Sequence, residues 1–233
     1  MYLGIDIGGT RLKAGLVDEG GVVWRSAQTA SPASRQALES TLPALVRQVL
    51  ADGVRPRAVG FGCKGIIDAS TTEVRTLPGV WSFLVGLRLS ETVSGLVDEG
   101  TPIAADNDAK AALAGEVAWG AARGRRNVLL LTLGTGVGGA ILVDGRILRG
   151  AADVAGHLGH MCAEPDGAPC ICGNHGCLET VFSSRAIEAE AWSAAHRGCK
   201  SPMTEILWSR PEALSCQFVF EQAALGDPIA RRL

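Results

Sequence analysis

Residues 3–21 read L-G-I-D-I-G-G-T-R-L-K-A-G-L-V-D-E-G-G. Apolar side chains alternate at Leu3, Ile5 and Ile7, stop at Gly8-Gly9, and resume at Leu12, Ala14 and Leu16 before Asp18-Glu19-Gly20-Gly21 and Val22-Val23-Trp24. Alternation of period two, interrupted by glycine pairs, predicts strand, tight turn, strand, acidic turn, strand. The pattern returns later in the chain: Leu3, Ile7, Gly8, Ala14, Leu16, Val17 and Asp18 correspond, at one constant offset, to Leu129, Leu133, Gly134, Ala140, Leu142, Val143 and Asp144. Two unrelated hairpins of common composition are the plainer explanation. We read a duplicated unit, which predicts two similar lobes facing each other across a cleft, each presenting one glycine turn.

Outside this repeat, Leu38, Leu42, Leu45, Val46, Val49 and Leu50 share one face of a helix that starts near Ser34, with Pro43 placed to kink it. Arg57 to Gly62 and Pro102 to Ala105 read as strands, and Ala109 to Ala118 as an alanine-rich helix. The chain has 233 residues, 47% hydrophobic and 20% charged, with a net charge of -2 from 22 basic and 24 acidic side chains. So even a balance gathers no field for nucleic acid. Apolar runs such as Val128 to Leu131 are too short to span a bilayer, and no basic stretch with an apolar core opens the chain. The expectation is a cytoplasmic protein. Glycine, at 30 residues or about 13% against a usual 7%, signals tight turns and close backbone approaches.

The two turns are D-I-G-G-T (Asp6 to Thr10) and T-L-G-T-G-V-G-G (Thr132 to Gly139). A strand, not a helix, follows each, so neither is a P-loop nor a dinucleotide fingerprint. Facing one cleft they would clamp phosphates: backbone N–H groups form an anion nest, Thr10 and Thr135 add hydroxyls, and Asp6 is placed to hold Mg²⁺ through water. Asp106-Asn107-Asp108 stands between a strand and a helix, where acidic residues serve as N-caps or, at the mouth of a cleft, take a proton from a substrate hydroxyl. The run C-I-C-G-N-H-G-C carries thiols at 170, 172 and 177. Three thiolates brought together by Gly173 and Gly176 call for zinc, with a fourth ligand from His157, His160 or His175, and four protein ligands make such a site structural. Three buried free thiols are the alternative.

Together, D-I-G-G-T, N-D-A at Asn107 to Ala109 with Glu116 downstream, L-G-T-G-V-G-G, Gly159-His160 and C-x-C-G-x-x-G-C-x-E ending at Glu179 resemble the ROK family of repressors, open reading frames and kinases, from Leu3 to the end of the chain. The resemblance implies an α/β chain with the two-lobed actin-like ATPase or hexokinase fold, ribonuclease H-like. Residues 1–117 would form a lobe with the first phosphate loop and Asp108, and residues 118–233 a second, incomplete lobe with the second phosphate loop and the zinc loop. It implies ATP-dependent phosphorylation of a hexose or amino-hexose, commonly at the 6-hydroxyl, as in a glucokinase. Asp108 would be the catalytic base. Gly65, Asn107, His160 and Glu179 would bind sugar, with His157 at a further sugar-binding position. Asp6, Gly8, Gly9, Thr10 and Lys13, with Gly134, Thr135 and Gly136, would face ATP and Mg²⁺. His160, Cys170, Cys172 and Cys177 would hold structural Zn²⁺, which fixes the loop that aims His160 and Glu179.

This chain departs from the family pattern at several places. Lys64 precedes Gly65 where Pro is usual, His157 stands where Glu is usual, and Thr76 replaces an Asn before Pro78, Gly79 and Trp81. Gly226-Asp227-Pro228 signals a helix start with five residues to follow. The expectation is a shortened member that lacks the adenosine-side segment and exposes apolar surface on its second lobe. The expected partners are a sugar and a second copy of the chain, with no nucleic acid and no membrane. A repressor of the family carries a DNA-binding motif before its first strand, for which Leu3 leaves no room. A sugar-binding regulator without turnover is the alternative to a kinase.

Overall fold

Strands β1 (Tyr2–Ile7), β2 (Arg11–Val17) and β3 (Val23–Ala30) form an antiparallel meander in the computed structural model, which describes residues 1–77 and 79–233, with 79 and 80 by backbone alone. Pro78 lies outside the described residues. The alternation in the sequence is the alternation of burial: Leu3, Ile5, Ile7, Leu12, Ala14 and Leu16 are all buried. Helix α1 (Arg35–Val49) packs on this sheet through Leu38, Leu42, Leu45, Val46 and Val49, and the Ser34 hydroxyl caps it by accepting from Ala37 N at 3.2 Å. Burying each such side chain contributes about 1.5–3 kcal/mol. That outweighs the bond which Pro43 removes, and α1 continues through it.

β4 (Val59–Cys63) lies parallel to β1. After it come the short antiparallel pair β5 (Ile66–Ile67) and β6 (Val74–Thr76), then β7 (Ile103–Asn107), which lies parallel to β4. The sheet order is β3-β2-β1-β4-β7. Helix α2 (Asp108–Trp119) begins where β7 ends, with Asn107 as its N-cap.

A second sheet holds β8 (Val128–Leu133), β9 (Val137–Val143) and β10 (Arg146–Ile147), in the order β10-β9-β8. The offset that maps Leu3 onto Leu129 carries β1 onto β8 and β2 onto β9, end for end. Burial does not follow. Leu129, Leu131 and Leu133 are 62%, 44% and 70% exposed, where Leu3, Ile5 and Ile7 are at most 3%. β1 has a strand on each side, whereas among the described residues β8 has one on a single side.

Helices α3 (Leu178–Phe182), α4 (Ser184–His196), α5 (Pro202–Ser209) and α6 (Cys216–Ala224) follow. The last three are each capped by the serine before them, and they share a core of Ala191, Ala195, Met203, Leu207, Leu214 and Val219. The Asp227 carboxylate accepts from Ile229 N at 3.0 Å and Ala230 N at 2.7 Å, so the expected cap forms, and it opens one 3-10 turn. The chain packs as two compact units, Met1–Leu130 with Gly139–Gly156, and Leu131–Gly138 with His157–Leu233. Among the described residues no helix is long and apolar enough to cross a membrane.

Candidate functional site

In the first unit, β4 and β7 end side by side, with Cys63 opposite Asn107. The Asn107 amide ties the two exits together. Its Oδ1 accepts from Ala109 N at 3.0 Å and its Nδ2 donates to the Gly65 carbonyl at 3.0 Å. Gly65 sits at φ 95, and a Cβ there would come within 2.5 Å of the Thr76 carbonyl, so only glycine suits the position. Both sequence-predicted residues are therefore placed together, but Asn107 is buried and its amide is engaged at both ends by the protein itself.

Asp108 is the first residue of α2 and is exposed. Surrounding protein nevertheless lifts its carboxyl above the ordinary range by desolvation, and the charge of Asp6 adds to that lift. The Ala109 N–H, at 2.9 Å, and the charge of Lys64 oppose it. The Lys64 ammonium lies over the Trp81 ring, 4.9 Å from its centroid, and against the first glycine turn: a Cβ on Gly9 would stand 3.4 Å from Nζ. The turn itself is closed by Gly8 N donating to the Arg11 carbonyl at 3.1 Å, and it is tied to β3 by Ser31, whose hydroxyl donates to the Gly8 carbonyl at 2.6 Å and whose N–H donates to the Thr10 carbonyl at 3.1 Å. The Gly8 N–H is thus committed within the turn. Asp6 pairs with Lys13 at 3.3 Å.

Sequence reasoning missed a buried charge cluster beside this site. Lys110 is 1% exposed and donates from Nζ to the Asp153 carbonyl at 2.5 Å, while the buried Asp106 carboxylate accepts from Asn107 N at 2.9 Å and from Arg149. Desolvation draws the Lys110 ammonium below its ordinary value. A lone lysine in an alanine-rich helix gives no sign of this. The partners lie some 40 residues away and become visible only in the fold.

In the second unit the other glycine turn is held by α3 and α4. Glu179 Oε2 accepts from Val137 N at 3.0 Å, and Oε1 lies 3.6 Å from Arg185 Nη2. Arg185 Nε donates to the Thr135 carbonyl at 2.9 Å and Ser184 N to the Gly134 carbonyl at 2.9 Å. A Cβ on Gly136 would come to 2.3 Å from Glu179 Oε2, so the carboxylate packs where a side chain would otherwise stand. Among the described residues, a Cβ on Gly134 would meet nothing within 4 Å.

His157 precedes a 3-10 turn, Leu158–His160, that delivers His160 to the cysteine loop. His160 Nδ1 and the sulfurs of Cys170, Cys172 and Cys177 all lie within 4.8 Å of one another. A tetrahedral zinc with Zn–S near 2.3 Å and Zn–N near 2.05 Å sets edges of about 3.8 Å between sulfurs and about 3.5 Å from nitrogen to sulfur. Cys172 Sγ and Cys177 Sγ stand 3.6 Å apart, and Cys170 Sγ stands 3.5 Å from His160 Nδ1. The donors fit that ion, and all three cysteines are free thiols. Burial and the neighbouring thiols push Cys177 up to about 12, a cost that a bound cation would offset. Of the three candidate histidines, His160 is the one in the cluster, and Gly173 and Gly176 take positive φ.

Residues 2–233 match the sequence pattern of the ROK family. The chain belongs to the ROK family. It is similar to a glucokinase of Streptomyces coelicolor, 33% identical over an alignment of 235 positions that covers 99% of this chain and 72% of the relative. Among solved structures it resembles a ROK glucokinase from Streptomyces griseus in complex with glucose and AMPPNP, with a TM-score of 0.83 and 32% identity over 98% of this chain and 72% of that one. It also resembles a ROK transcriptional regulator, a homologue of the Escherichia coli MLC protein, with a TM-score of 0.82 and 27% identity over 98% of this chain and 57% of that one. The mixed α/β architecture is thus that of the ROK glucokinases, of which this chain spans part.

Proposed function

We propose that this ROK protein is a sugar kinase that transfers the γ-phosphoryl of ATP to a hydroxyl of a hexose or amino-hexose, at the 6-position. The observation that carries the reading is Asp108, an exposed carboxylate at the start of α2 whose proton affinity is raised by desolvation and by Asp6. A carboxylate so placed takes the proton of the sugar hydroxyl as its oxygen bonds to Pγ and the bond from Pγ to the bridging oxygen of ADP breaks. Residues 1–117 then act as the lobe of the first turn and base, and residues 118–233 as the lobe of the second turn and zinc loop.

The first turn, Asp6 to Thr10 with Lys13, and the second, Gly134 to Gly136, would receive the phosphates, and Asp6 offers an oxygen ligand suited to Mg²⁺, which supplies charge neutralisation when bound. The open space at Gly134 supports this reading. Gly65, Asn107, His157, His160 and Glu179 would line the sugar side. A structural zinc held by His160, Cys170, Cys172 and Cys177 would fix the loop that places them. The test is a coupled ADP-release assay over hexoses and hexosamines. At least one sugar is expected to turn over, and Asp108→Asn is expected to lower kcat by about 10²–10⁴. No turnover with any sugar, or an unaffected variant, would overturn the reading.

A further inference from the structure

The Lys64 side chain runs from the end of β4 to the first glycine turn, where its Nζ stands against Gly9 and over the Trp81 ring. Trp81 is 8% exposed, so the ring that carries the ammonium is itself fixed by packing. The charges of Lys64, Asp108 and Asp6 all act on the buried thiol of Cys63, which places the three groups around one strand end. A cation there stands against the turn proposed to receive phosphate and shares one strand end with the carboxylate proposed as base. We infer that Lys64 is a further catalytic residue, one whose ammonium contacts the transferring phosphoryl group of the nucleotide. This rests on the kinase reading and deepens it.

The chemistry favours a phosphoryl over a sugar as the ligand of this lysine. An ammonium is a compact charge with three donors and no acceptor, suited to phosphoryl oxygens as a point charge. Phosphoryl transfer leaves the protein little covalent work, so rate comes from placing positive charge where oxygens carry negative charge in the transition state. The indole face carries the ammonium where it meets the turn, a preorganised arrangement that needs no reorientation during the reaction.

The test compares the full chain with its Lys64→Met and Lys64→Arg variants, with binding of AMPPNP and of ADP measured by calorimetry and kcat and KM measured for ATP and sugar. For Lys64→Met, AMPPNP affinity is expected to fall roughly tenfold or more while ADP affinity changes less than about threefold. Its kcat is expected to fall about 10²-fold with sugar KM nearly unchanged. Lys64→Arg, which keeps the charge, is expected to recover part of both. Equal losses for AMPPNP and ADP, a change confined to sugar KM, or no change in a turning-over enzyme would each overturn the role of Lys64 and leave the kinase reading standing. A wild-type chain that binds no nucleotide would overturn both.

Discussion

Replacing Gly136 by alanine tests whether the second glycine turn is built around the Glu179 carboxylate. The added Cβ would stand 2.3 Å from Glu179 Oε2, far inside van der Waals contact, so either the turn or the carboxylate has to move. If Glu179 swings away, Val137 N loses its acceptor at 3.0 Å, and Val137 is a buried residue. An orphaned buried donor costs about 1–3 kcal/mol. The Arg185 pair, at 3.6 Å with an exposed arginine, adds little. The expected loss is about 2–3 kcal/mol of unfolding free energy. Urea unfolding of the wild type, Gly136→Ala, Glu179→Ala and the double variant measures it. In the Glu179→Ala background the new methyl group meets no carboxylate, so Gly136→Ala should cost well under 1 kcal/mol there, a coupling of about 2 kcal/mol. Additive losses would refute the argument and place the reason for Gly136 elsewhere.

Three further outcomes are expected. The raised carboxyl of Asp108 puts the acid limb of kcat/KM above its unperturbed value of 3.8, and Asp6→Asn, which removes a neighbouring negative charge, should move that limb to lower pH; a pH–rate profile reads both. The same shift has the opposite sign for stability: protonated Asp108 favours the fold, a contribution complete below pH 3.8 and lost as pH rises through the folded-state value, so Asp108→Asn should melt no lower than the wild type at pH 7. Metal analysis should return about one zinc per chain; chelation or Cys172→Ser should remove it and lower the melting temperature, and a metal-free chain of unchanged stability would overturn the assignment.

Much of this was legible in the sequence because it is written in local periods. Alternation around Gly8-Gly9 marked β1 and β2, the constant offset marked β8 and β9, and the density of thiols at 170, 172 and 177 marked the metal cluster. What stayed hidden depends on partners remote in sequence. Glu179 reads as a sugar ligand that closes the cysteine motif, and only the fold brings it to Val137 N. Lys64 reads as a proline replaced, with no hint that its ammonium stands over Trp81 and against Gly9. Asn107 reads as a polar ligand or a cap, and its second bond, to Gly65, emerges from the parallel register of β4 and β7.

The duplicated hairpin carries a thermodynamic consequence. Leu3, Ile5 and Ile7 each contribute the roughly 1.5–3 kcal/mol of a buried apolar side chain. Their counterparts Leu129, Leu131 and Leu133 stay largely in water and forgo much of it. The forgone stabilisation is comparable to the low end of a domain's whole net stability, about 5 kcal/mol. The two copies of one pattern therefore differ in temperature response: covering the β8 leucines would raise the heat capacity of unfolding, whereas the β1 copy already contributes its full share.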